Sequence, residues 1–99
     1  MEITNHSVKR FLQRVKGQKN FSKQEFELAK AYLANLLKNI TPSNLQGYCP
    51  LPEEKNFVIA YSENTAVTIL PKEYVKIERL YLDKKISKRE YKKYTRLIS

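Results

Sequence analysis

Apolar residues recur along the chain in two distinct rhythms, one helical and one of strands. Val8, Phe11, Leu12 and Val15 fall at i, i+3, i+4 and i+7, which predicts a first helix from about Asn5 to Lys16 with one buried stripe. Thr4 or Asn5 is placed to cap its start, and Gly17 ends it before the polar loop Gln18-Lys19-Asn20. A second helix opens at Ser22-Lys23-Gln24-Glu25, where serine and glutamate stand at capping-box spacing and Phe21 and Phe26 flank them as a hydrophobic staple. Its stripe of Phe26, Ala29, Leu33, Leu36, Leu37 and Ile40 runs to Thr41-Pro42, where proline cannot continue a helix.

The rhythm then changes. Residues 41–56 hold three of the four prolines and the second glycine, which predicts a long irregular connection. Phe57–Tyr61 and Thr65–Leu70 are β-branched or aromatic runs on either side of Ser62-Glu63-Asn64, and they predict a β-hairpin over 57–70. Two strands make too small a sheet to stand alone, so Glu2-Ile3-Thr4 or the stretch around Tyr48 is a candidate for a further strand. After Pro71, helical spacing returns over Lys72–Leu82, with Tyr74 or Val75, Ile77 or Glu78, and Tyr81 or Leu82 competing for the buried face. Asp83-Lys84-Lys85 breaks it. Ser87-Lys88-Arg89-Glu90 is a second capping box, opening a last helix with Tyr91, Tyr94 and Leu97 or Ile98 on one side. The expected fold is α+β: two N-terminal helices on a small antiparallel sheet, followed by a basic C-terminal helical hairpin. Residues 1–99 form one domain and 83–99 a basic helical tail.

Charge sharpens this picture. The 99 residues carry 19 Lys+Arg against 10 Asp+Glu, a net +9. Residues 1–24 hold six basic side chains and one acid, residues 83–99 seven and two, so each end is +5 while the middle is close to neutral. If the first and last helices lie side by side, their basic faces merge into a surface suited to several phosphates. The candidate nucleic-acid contacts are Lys9, Lys16, Lys88, Arg89, Lys92, Lys93 and Arg96. A lysine-rich surface that is merely solvated is the alternative. Tyr91 and Tyr94, interleaved with these cations, suit base stacking, although such tyrosines more often anchor a terminal helix.

Other classes are excluded or weak. One cysteine, Cys49, allows no internal disulfide and no cysteine-based zinc cluster, and it points to a reducing, cytoplasmic setting. No secretory signal is visible and no segment approaches the ~20 apolar residues needed to span a membrane. No cofactor is implied. Glu53-Glu54, in the proline-rich stretch, reads as solvent-exposed.

The sole histidine, His6, lies four and eight residues before Arg10 and Arg14, so on one helix the imidazole and both guanidiniums share a face. That trio suits phosphate chemistry: an imidazole exchanges protons near neutrality, and arginines offer forked donors to phosphoryl oxygens. Cleavage of RNA uses the substrate's own 2′-hydroxyl as nucleophile and needs no metal. The plainer alternative is a histidine in a helix's first turn with solvent as partner.

Ile3-Thr4-Asn5-His6-Ser7-Val8-Lys9-Arg10-Phe11-Leu12-Gln13-Arg14-Val15, together with Thr65-Ala66-Val67-Thr68-Ile69-Leu70-Pro71, resembles the domains related to BrnT and RelE-type toxins, within the barnase, colicin and RelE-like ribonuclease superfamily. The resemblance covers about a third of the chain. It implies a metal-independent ribonuclease of phage or mobile-element origin, or an inactive relative, and marks His6, Arg10, Arg14 and Thr68. The alternative is a non-catalytic module using the same surface. The partners expected are RNA or another nucleic acid, or a protein: an inhibitor, or a host enzyme that itself binds nucleic acid. Self-association through the C-terminal helices is a third reading.

Overall fold

A computed structural model describes residues 1–98; Ser99, the last residue of the expected basic tail, lies outside them. The elements in chain order are β1 (Glu2–Ile3), α1 (Asn5–Arg10) continued by a π-helical turn (Phe11–Val15), α2 (Lys23–Leu37), β2 (Gln46–Pro50), β3 (Phe57–Ser62), β4 (Thr65–Pro71), α3 (Lys72–Leu82) and α4 (Lys88–Ile98). The fold is α+β, with four helices and one four-stranded sheet in the order β1-β4-β3-β2.

The sheet is mixed, where an antiparallel one was expected. Glu2 and Ile3 run parallel to β4, opposite Thr65 and Ala66. The supposed irregular connection contributes β2, antiparallel to β3 from Gln46↔Ser62 to Pro50↔Val58. Both candidate stretches for extra strands are therefore used. The β3–β4 turn is Glu63-Asn64 with φ of 51° and 63°, so both residues take the left-handed conformation that a two-residue hairpin requires.

The register of β3 on β4 skips one residue. Tyr61 opposes Ala66 and Ala60 opposes Thr68, which leaves Val67 as a bulge, 43% exposed. The bulge reverses the alternation, so Ala66 and Ile69, three residues apart, are both fully buried. They join Val8, Phe11, Leu33, Leu37, Ile59 and Tyr61 in the core between the sheet and the first two helices.

Local signals shape these helices. Thr4 caps α1: its hydroxyl accepts from the Ser7 amide at 3.1 Å, and the Ser7 hydroxyl in turn accepts from the Thr4 amide at 3.2 Å. The first helix is not uniformly α. The Lys16 amide donates to the Phe11 carbonyl, five residues back, in a widened turn that buries both Phe11 and Leu12. Gly17, at φ 67°, ends it. The capping boxes at Ser22/Glu25 and Ser87/Glu90 both form, and Phe21 stacks on Phe26 at 6.1 Å. α2 stops at Leu37, short of Thr41-Pro42; the Met1 ammonium donates to the carbonyls of Leu37 and Ile40 at 3.1 and 2.9 Å.

α3 and α4 contain no fully buried residue. Tyr91 holds them together: its ring stacks on Tyr81 at 4.7 Å and its hydroxyl lies 3.2 Å from that of Tyr74. Tyr91, Thr95 and Ile98 are half-buried, whereas Tyr94 and Leu97 face solvent, so the inward side of α4 is rotated from the one its apolar residues suggested. Tyr48 of β2 reaches α3 with a 2.6 Å hydrogen bond to Glu78. Among the described residues no helix is long and apolar enough to cross a membrane.

Candidate functional site

β1 is so short that it covers β4 only at Thr65 and Ala66. Side chains of the first helix satisfy the carbonyls beyond it. The Thr4 hydroxyl donates to Ala66 and Val67 at 3.0 and 3.2 Å, and the Arg14 guanidinium donates to the Ile69 carbonyl at 2.7 Å. An open strand edge is thus closed by a helix laid along it. Arg14 is half-buried as a result. Burial, and after it the neighbouring charge of Arg10, pulls its pKa below the ordinary arginine value, with Tyr74 opposing.

Arg14 uses one donor on the sheet, and a guanidinium has five. The others border an open depression of about 680 Å³ whose lining includes Arg10, Gln13, Lys19 and Asn56. Arg10 is steadied by donating to Gln13 Oε1 at 2.8 Å. Glu73, in the first turn of α3, is the one acid in this lining. Arg14 also borders a second depression, of about 440 Å³, with Leu70, Tyr74, Lys92 and Arg96. Lys92 and Arg96 in turn belong to a stripe on α4, Arg89, Lys92, Lys93 and Arg96, at i, i+3, i+4 and i+7 beside the exposed Leu97. Cations of the two chain ends therefore meet at Arg14.

The other sequence-derived candidates lie elsewhere. His6 is exposed in the first turn of α1, one turn before Arg10, and is not among the residues lining the depression that holds Arg10 and Arg14. The widened turn between Arg10 and Arg14 departs from the regular α spacing on which a common face for all three depends. Thr68 is half-buried on the sheet face opposite the core, because the Val67 bulge turns it to the side of Leu70. Lys16 sits with its ammonium 5.6 Å from the Phe11 ring centre and 5.9 Å from that of Tyr32, and 4.0 Å from Glu54. Glu53 accepts from the Tyr32 hydroxyl at 2.9 Å. Lys9 and Lys88 are exposed and line none of these depressions.

Sequence reading did not single out Gln13, Lys19, Asn56 or Glu73. Lys19 had a signal, since a glycine cap at Gly17 turns the following residues back on the helix and the Gln18 amide donates to the Leu12 carbonyl. Asn56 and Glu73 had none. They meet because the Lys72 amide donates to the Asn56 carbonyl across the mouth of the hairpin.

Among the described residues no three His, Cys, Asp or Glu side chains converge as a metal site would require. Cys49 is half-buried on β2, and burial raises its thiol pKa. Comparison with known proteins finds no family model, no curated protein and no solved structure that matches this chain.

Proposed function

We propose that the protein is a nucleic-acid-binding module that holds a single strand of RNA on the surface joining the first helix to α4. One observation carries this reading: Arg14 borders both the depression with Arg10 and Lys19 and the one with Lys92 and Arg96. The α4 stripe extends the cationic path by seven residues, about 10 Å at 1.5 Å per residue. Side chains of this kind meet backbone phosphates.

Neutralising about four to six phosphates gives a slope of log affinity against log salt of about −3 to −4 for a single strand, a loss of roughly 100-fold between 50 and 200 mM. Fluorescence anisotropy with a single-stranded RNA measures it. Replacing Arg89, Lys92, Lys93 and Arg96 together by glutamate, on an exposed helix face, should abolish binding while leaving the circular dichroism of the fold unchanged. Unaltered affinity in that variant refutes the proposal.

Cleavage is the second reading, favoured by α1 itself, which sets His6 one turn from Arg10. It also rests on the resemblance to the ribonuclease toxins. A folded His6→Ala protein that binds RNA but no longer cuts it supports this reading, and equal cleavage by both proteins excludes it.

A further inference from the structure

The cationic depressions form a path with an end. The first, with Arg10 and Lys19, shares only Arg14 with the second; the second shares Lys92 and Arg96 with the α4 stripe; the first and the stripe share nothing. A strand following these cations from α4 therefore arrives at Arg10 and Lys19, whose depression shares no side chain with those at Tyr48 and Val75 or at Lys16 and Tyr32. We infer that this terminal depression seats the phosphomonoester at the end of a single RNA strand, an inference that rests on the RNA-binding reading above.

The chemistry of the group fits the place. A terminal phosphate carries about −1.5 to −2 charge at pH 7 and three free oxygens, whereas each internal phosphodiester carries one charge and two free oxygens. Here three separate cations face one space, and among the described residues none of them has a carboxylate within 4.0 Å; the ion pair observed is Lys16–Glu54, on another part of the surface. Arg10 and Arg14 each already have one donor fixed, to Gln13 and to the Ile69 carbonyl, so both guanidiniums are oriented before a ligand arrives and less rotamer freedom is lost on binding. Phe57, Pro71 and Ile98 supply the apolar part of the lining, against which the end nucleoside lies. Glu73 opposes an anion at this site, one charge against three.

Anisotropy with three single-stranded RNAs of one sequence, bearing a 5′-phosphate, a 3′-phosphate or hydroxyls at both ends, tests the inference. One phosphorylated strand should bind at least about tenfold more tightly than the hydroxyl-ended strand, and which one it is fixes the strand's direction. Arg10→Gln and Lys19→Gln should each bring that ratio toward one. Glu73→Gln should raise it, a gain that a damaged fold cannot imitate. Equal affinity for all three RNAs overturns the inference and leaves RNA binding standing, as does a ratio that survives both cation substitutions. Failure of all three RNAs to bind overturns both readings.

Discussion

Replacing Arg14 by glutamine tests its part in the fold. The substitution removes the 2.7 Å donation to the Ile69 carbonyl, on a stretch of β4 that β1 is too short to reach. A hydrogen bond from a charged donor contributes about 1.5–3 kcal/mol. The site is half-buried, so water replaces part of the lost bond, and release from Arg10's like charge returns a few tenths more. The expected net loss is about 1 kcal/mol, which for a domain of this size lowers Tm by about 4–8 °C. Arg10→Gln is the control, because its partner Gln13 lies one turn away on the same helix and its loss should cost under about 0.5 kcal/mol. Thermal and urea unfolding followed by circular dichroism measures both. If Arg14→Gln unfolds together with the unaltered protein, or if Arg10→Gln is equally destabilising, the edge-closing role of Arg14 is wrong.

Three further outcomes follow from the packing. Leu33→Ala, at a fully buried position, should cost about 2–5 kcal/mol, whereas Leu28→Ala, 65% exposed on the same helix, should stay within about 0.5 kcal/mol; comparable losses in urea unfolding would contradict the assignment of the core face. Changing Glu63-Asn64 to Asn-Gly, which suits two left-handed residues in succession, should raise stability by about 0.5–1 kcal/mol, and a lower urea midpoint would argue against that turn. The Tyr91 phenol, hydrogen-bonded to Tyr74 and partly desolvated, is pushed up to about 12 from 10, so its contribution is intact below pH 10 and is lost as pH rises from 10 through 12. Tyrosinate absorbance and helicity should therefore change together over that interval, and Tyr91→Phe should remove the coupling; an identical loss of helicity in both proteins would show that the hydroxyl is not involved.

What could be read in advance is what a short stretch of chain decides for itself. Ser22 and Ser87 each meet a glutamate three residues on, Gly17 ends a helix through its own φ, and α3 spans Lys72–Leu82 as its spacing predicts. β1 and β2 were only candidates because neither has an internal rhythm: β1 has two residues and β2 contains Gly47 and Pro50. Their partners in β4 and β3 make them strands. The widened turn was invisible because Val8, Phe11, Leu12 and Val15 fit an α period equally well. The cluster of cations was legible as a charge imbalance at both ends. Arg10, Arg14, Arg89, Lys92, Lys93 and Arg96 stood out individually, but their meeting place did not, since Arg14 finds its carbonyl 55 residues away and Asn56 and Glu73 arrive through the sheet.

A two-residue β1 leaves β4 carbonyls that a longer strand would have paired, and the helix brought in to cover them supplies Thr4 and Arg14 as donors. A neutral side chain of the right reach could have closed that edge. Arginine closes it with one donor and keeps four for whatever lies outside, at the cost of a charge half-buried beside a second arginine. The same residue therefore ties the first helix to the sheet and faces the open depression. A phosphate bound there would offset the repulsion between Arg10 and Arg14, and because only the folded chain brings Arg10, Arg14 and Lys19 together, its binding energy would also stabilise the fold. On the proposed reading, edge closure and anion binding are one piece of chemistry, centred on Arg14.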